Sequence, residues 1–190
     1  MTLPAFKYTS PETYLQMEEN AFERYEYIGG EVYAMAGATE KHNMVVLNTG
    51  GEIRSFLKGQ KCKVYPSDFR LSISLSETYM YPDLTIVCGE TELKAGCFDT
   101  LTNPAVIIEV LSPSTQERDR VLKFFFYRQI PSFKEYILID TTQHKVATFL
   151  KQPDGTWEES ITDGRNAILH IDTIDMQLPM EEIYARVDVG

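Results

Sequence analysis

Three cysteines, three histidines and one tryptophan are all that the 190 residues hold of those types. Cys62, Cys88 and Cys97 are odd in number and none has C-x-x-C spacing. The sequence therefore predicts neither a disulfide framework nor a zinc site, and reduced thiols in a cytoplasm fit it best. Cys88, which closes an apolar run, reads as a small core residue. No stretch approaches the roughly 18 consecutive apolar residues of a membrane-spanning helix. Met1 to Tyr8 offers neither a long apolar run nor a small-residue cleavage site. A soluble cytoplasmic chain without a membrane partner is expected. Repeats, low-complexity tracts and Pro/Gly/Ser linkers are also missing, so 1–190 reads as one domain.

Cations are scarce: the net charge is −10, which argues against an obvious nucleic-acid binder. The imbalance is local. From Asp154 onward there are nine acidic and two basic residues, a net of −7, against nineteen acidic and sixteen basic before it, a net of −3. Two basic clusters, Arg54/Lys58/Lys61/Lys63 and Arg118/Arg120/Lys123/Arg128, are available for phosphates or are ordinary solvated faces.

Eleven tyrosines and ten phenylalanines supply a large core. Ser10-Pro11 opens a short helix, serine as N-cap and proline at the first helical position. Residues 25–35 read as a hairpin turning on Gly29-Gly30. A helix is expected over 39–57 despite Gly50-Gly51, then strands over 62–74 and 81–88 with a polar loop around 76–78. After Asn103-Pro104 comes the strongest strand, 105–111. Ser114 and Glu117 make a capping box opening a helix that runs to about Gln129, where Pro131 stops it. Residues 133–140 form a strand, 145–150 pair with 156–161, and a short helix follows Pro179. The order predicts a mixed α/β fold, with helices covering a central mixed sheet and a β-rich C-terminal extension.

Glu109 interrupts the apolar strand 105–111. A carboxylate in a central strand is costly unless paired, hydrogen-bonded or metal-bound. An edge-strand glutamate facing water is the alternative, but a run apolar on both faces argues against an edge. Asp83 stands at the mouth of the strand 81–88, directly after Pro82. If 83–88 and 105–111 are antiparallel and both carboxylates share a face, Asp83 and Glu109 approach one another; a turn-capping role is the alternative for Asp83. Oxygen ligands without convergent Cys or His suit Mg²⁺ or Mn²⁺. Lys123 is the only charge in 121–126, and Asp119 and Tyr127 flank it at i−4 and i+4. That spacing also makes an ordinary surface ion pair. If the Asp119-Lys123-Tyr127 face looks into the acidic cleft, Val121, Leu122, Phe125 and Phe126 are left to pack into the core.

Proline-aspartate at a strand start, a glutamate in the next apolar strand and a helix directly after it resemble the PD-(D/E)XK nuclease superfamily. More closely, YEYIGGEVYAMAGATEKH, YPDLTIVCG and NPAVIIEVLSPSTQERDRVLKFFFYRQIPSFKEYILID resemble the Uma-type family of restriction-endonuclease-like proteins, formerly a domain of unknown function. The resemblance implies a restriction-endonuclease-like core and metal-dependent hydrolysis of phosphodiesters in nucleic acid, with DNA the expected partner. Asp83 and Glu109 would hold Mg²⁺ or Mn²⁺, and Lys123 would act on the water or the transition state. Asp119 would fix Lys123, and Glu31 and His42 are possible additions. The lysine that the superfamily places two residues after the glutamate is Leu111 here, and the resemblance to the Uma-type family implies that it has moved onto the following helix, as Lys123. Two other readings stand beside this one: a non-catalytic interaction protein that keeps the fold, and a metalloenzyme for a smaller anionic substrate. Cutting both strands of a duplex would favour a homodimer.

Overall fold

The computed structural model describes residues 8–35, 37–112 and 116–189. Ser114, and with it the expected capping box, lies outside them. Helix α1 (Pro11–Asn20) starts as the sequence implies, with the Ser10 hydroxyl accepting the Thr13 N–H at 3.2 Å. Strands β1 (Tyr25–Ile28) and β2 (Glu31–Ala34) form the hairpin, which turns on Gly29 and Gly30 at φ +60° and +94°. Helix α2 (Glu40–Phe56) is continuous through its two glycines and is capped by Thr39.

The strand expected over 62–74 is two strands, β3 (Cys62–Pro66) and β4 (Arg70–Ile73), in different sheets. Pro66 has no N–H for a ladder, and a turn follows it. The expected loop at 76–78 runs into a short strand, β5 (Thr78–Met80). Then come β6 (Leu84–Cys88), β7 (Thr100–Leu101) and β8 (Val106–Leu111). A π-helical turn (Arg118–Lys123) passes into α3 (Phe124–Tyr127). The chain continues through β9 (Glu135–Asp140), β10 (Lys145–Lys151), β11 (Trp157–Asp163), β12 (Ile168–Ile171), β13 (Met176–Pro179) and α4 (Met180–Ile183).

Six strands in the order β11-β10-β9-β8-β6-β3 make the main sheet, and five in the order β2-β1-β5-β4-β7 make a second. Strand β8 is central, antiparallel to β6 and parallel to β9. A parallel pair needs a crossover connection, and the segment holding the π turn and α3 supplies it. Alternation along β8 divides the core. Val106, Ile108 and Val110 pack with α2, α4 and the β12–β13 hairpin. Ile107 and Leu111 pack with Tyr127, Tyr136 and the second sheet. Glu109 therefore faces the second side, beneath the π turn and α3. Among the described residues no helix is long and apolar enough to cross a membrane.

The expectation of reduced thiols is corrected by the structure. Cys62 and Cys88 are register partners on antiparallel β3 and β6, with Cα atoms 4.0 Å apart, and are joined by a disulfide; Cys97 is free. Spacing in sequence carries no sign of this pair, because register brings it together. Cys88 is also exposed rather than a core residue. Reduction, or Cys88→Ser, should lower stability by about 2–4 kcal/mol, a fall in Tm of roughly 4–16 °C for a chain of this size. Melting with and without dithiothreitol checks this; an unchanged Tm would show that the bond contributes nothing.

Candidate active site

Strand pairing brings Asp83 to Glu109. The β6–β8 ladder runs as far as Leu84↔Ile108 and stops, and beyond it the Asp83 carboxylate takes over from the missing backbone partner. The Val110 N–H donates to Asp83 Oδ2 at 2.7 Å, and the Asp83 N–H lies 3.4 Å from Glu109 Oε2. Asp83 thus caps the end of the ladder and not a turn, and in doing so it is held beside Glu109.

Glu109 is 3% exposed. Its Oε1 accepts from Lys123 Nζ at 3.0 Å and from the Tyr127 hydroxyl at 2.7 Å. Lys123, also buried, reaches Asp119 Oδ1 at 3.3 Å and Glu26 Oε1 at 3.1 Å. The Asp119-Lys123-Tyr127 stripe does face the acidic group, and these three are among the best-buried residues of their segment. The expectation that Val121 and Phe125 fill the core fails, because they lie on the opposite side of the helix and are 65% and 54% exposed. The wide π turn is anchored from below: the Tyr136 hydroxyl donates to the Asp119 carbonyl at 2.9 Å.

His42, at the N-terminus of α2, places Nε2 3.1 Å from Asp83 Oδ1. Glu31 does not join the group; it accepts from the Tyr33 hydroxyl at 2.5 Å, one step out along the hairpin. The N-terminal acid that does enter is Glu26, which the sequence reading missed. It sits on β1, cross-strand from Tyr33, and bonds Lys123, Arg118 and the Tyr81 N–H. The Arg118 guanidinium lies over the Tyr33 ring at 4.6 Å. The signal for Glu26 was a lone charge between Tyr25 and Tyr27, whose alternation turns it to the other face of the hairpin.

Four carboxylates (Glu26, Asp83, Glu109, Asp119) thus surround two permanent cations, Lys123 and Arg118. Burial, reinforced by Asp119 and Asp83, pushes Glu109 up to about 8 although Lys123 and the Tyr127 hydroxyl favour its ionised form. Burial works against the charged form of Lys123, but Glu109 and Asp119 outweigh it, and its pKa is raised. His42 follows the same pattern: burial opposes protonation, while the hydrogen bond and charge of Asp83 raise its pKa overall.

The donor set fits a hard divalent cation. Among the described residues no three His, Cys, Asp or Glu side chains form a preformed cage, but Mg²⁺ characteristically takes one or two carboxylates and keeps water or substrate phosphate as its other ligands. Asp83 and Glu109 supply two such carboxylates at the open end of the β6–β8 ladder, where negative charge is in excess.

A mixed sheet whose central strand carries a buried glutamate beside an aspartate at the mouth of its antiparallel neighbour places the protein in the restriction-endonuclease-like α/β class. The fold is similar to that of a solved structure described as a "putative nuclease belonging to DUF820" from Anabaena variabilis, with a TM-score of 0.76 and 16% identity over 95% of this chain and 99% of that one. The Uma2 family model, described as "Putative restriction endonuclease", matches residues 11–181, and the chain belongs to that family. Two uncharacterized proteins of Synechocystis sp. are similar to it. One is 34% identical over 80% of this chain and 79% of its own, the other 36% identical over 88% and 94%.

Proposed function

We propose that this nuclease-like protein is a divalent-metal-dependent endonuclease that hydrolyses phosphodiester bonds of DNA. The observation that carries the reading is the buried Lys123 ammonium 3.0 Å from Glu109, with Asp83 held beside that glutamate. The lysine absent at Leu111 is thereby replaced in function from the next helix.

Asp83 and Glu109 would hold Mg²⁺ or Mn²⁺, which when bound activates water and offsets phosphoryl charge. Glu26 and Asp119 fix Lys123 in place. With its pKa raised, Lys123 is an ammonium at neutral pH and serves as a donor to the charge that develops on the phosphate oxygens, not as a base. Tyr127 and the Val110 N–H hold the two carboxylates in their rotamers. In the reaction an oxygen of water bonds to phosphorus and its proton passes to solvent, the bond to the leaving sugar oxygen breaks, and that oxygen takes up a proton from solvent.

Purified protein should nick plasmid DNA with Mg²⁺ or Mn²⁺ and not in EDTA, with RNA of matched length run beside it. Glu109→Gln should abolish the cleavage. Undiminished cleavage by that variant would place the activity elsewhere. Metal-stimulated turnover of small phosphodiesters without DNA cleavage would favour the small-substrate enzyme, and no turnover at all the non-catalytic interaction protein.

A further inference from the structure

A groove of about 350 Å³ runs between α2 and the strands beside it, with Val46, Gly50 and Gly51 on the helix side and Val64, Pro66 and Leu84 on the other. Leu84 directly follows Asp83 and Val46 lies one helical turn beyond His42, so the near end of the groove is one residue and one turn from the Asp83–His42 pair. Going away from it, His42, Val46, Gly50 and Arg54 succeed one another at four-residue steps, the ridge spacing of a helix surface. Arg54, exposed, is the single charged residue in the lining. Lys58 and Lys61, also exposed, follow in the turn at that end.

The two glycines determine the shape. A Cβ on Gly50 would come within 3.1 Å of the Leu84 side chain, so the groove is as narrow there as a side chain permits; a Cβ on Gly51 would meet nothing within 4 Å. Glycine in a helix interior costs about 0.5–1 kcal/mol relative to alanine, and here two in succession leave backbone facing open space. A narrow apolar slot with the proposed metal site near one end and cations at the other suits an extended anionic chain.

We infer that this groove is the track for one polynucleotide strand leading away from the scissile phosphate, with sugar and base against Val46, Gly50, Gly51 and Leu84 and a downstream phosphate on Arg54. The inference rests on the nuclease reading and adds to it a binding surface outside the acidic group. His42 to Arg54 spans twelve residues, about 18 Å of helix, so Arg54 meets a phosphate a few nucleotides from the scissile one.

The test is anisotropy of a labelled single-stranded DNA oligonucleotide with Mg²⁺, in a Glu109→Gln background so that binding is read without cleavage. Gly51→Leu fills the groove from an open helical position and should fold at least as well as its parent. It should weaken binding about five- to tenfold, by occupying the pocket volume. Arg54→Ala should weaken it comparably and reduce the salt slope by about 0.7, the loss of one phosphate contact on a single strand. Arg165→Ala, an exposed cation in the turn after β11, should change neither. Unchanged affinity in both groove variants, with wild type still cleaving DNA, would overturn the track and leave the nuclease reading intact. A parent that binds no oligonucleotide, together with a wild type that cuts none, would remove both. A change in sedimentation with Gly51→Leu at unchanged DNA affinity would assign the groove to a second copy of the chain and overturn the inference.

Discussion

Lys123→Met is expected to lower the rate of DNA cleavage by about 10²–10³-fold, the usual cost of removing one preorganised donor from a developing oxyanion. It should also destabilise the protein. Lys123 is shared by Glu26, Glu109 and Asp119 at 3.0–3.3 Å, and deleting one member of a buried charge group costs about 3–5 kcal/mol, roughly 6–20 °C in Tm for a chain of this length. Lost activity alone would therefore not separate chemistry from folding. The double variant Lys123→Met/Asp119→Asn does so, because it also removes a carboxylate left without its lysine, whereas Glu26 keeps Arg118. It should recover a large part of the Tm and none of the rate. Cleavage that returned with stability would show that Lys123 is a structural counter-ion and that catalysis lies elsewhere.

Much of this arrangement was legible in the chain, for reasons that differ by element. Strand β8 could be read because a run apolar on both faces has nowhere to go but the middle of a sheet, and Asp83 because proline ends a ladder and leaves a carboxylate at its mouth. The Asp119-Lys123-Tyr127 face followed from helical spacing. Burial alone does not distinguish a site: Glu135, on neighbouring β9, is fully buried too, yet its oxygens are taken by the Asp172 and Thr173 N–H groups at 3.1 and 2.8 Å. What sets Glu109 apart is a lysine, a second carboxylate and an open ladder end together. Glu26 was passed over for Glu31 because β1 looks like one arm of a solvated hairpin until the second sheet, to which it belongs, packs against the main one. The Cys62–Cys88 bond and the split of 62–74 between sheets were equally out of reach, since both depend on which strand pairs with which.

Without metal, the protein should lose stability as pH rises from about 5 to 8. Glu109 is pushed up to about 8 in the folded protein against an ordinary 4.5, so between those values the folded state holds more of this proton than the unfolded chain does. Stability is then greatest on the acid side and falls as Glu109 ionises among its neighbours. His42 acts in the same direction: its folded pKa is raised, so its contribution is present at low pH and is lost as pH climbs through that value. One proton of difference changes stability by at most about 1.4 kcal/mol per pH unit, roughly 3–6 °C of Tm. Glu109→Gln removes the larger of the two titrations, so its Tm should vary less with pH and exceed that of wild type at pH 8. Mg²⁺ should raise the wild-type Tm most at pH 8, where it meets an ionised Glu109, little at pH 5.5, and little in Glu109→Gln at either. A Tm that rises between pH 5.5 and 8 without metal, or an equal Mg²⁺ shift in wild type and variant, would contradict both the charge state assigned to Glu109 and its role as a ligand.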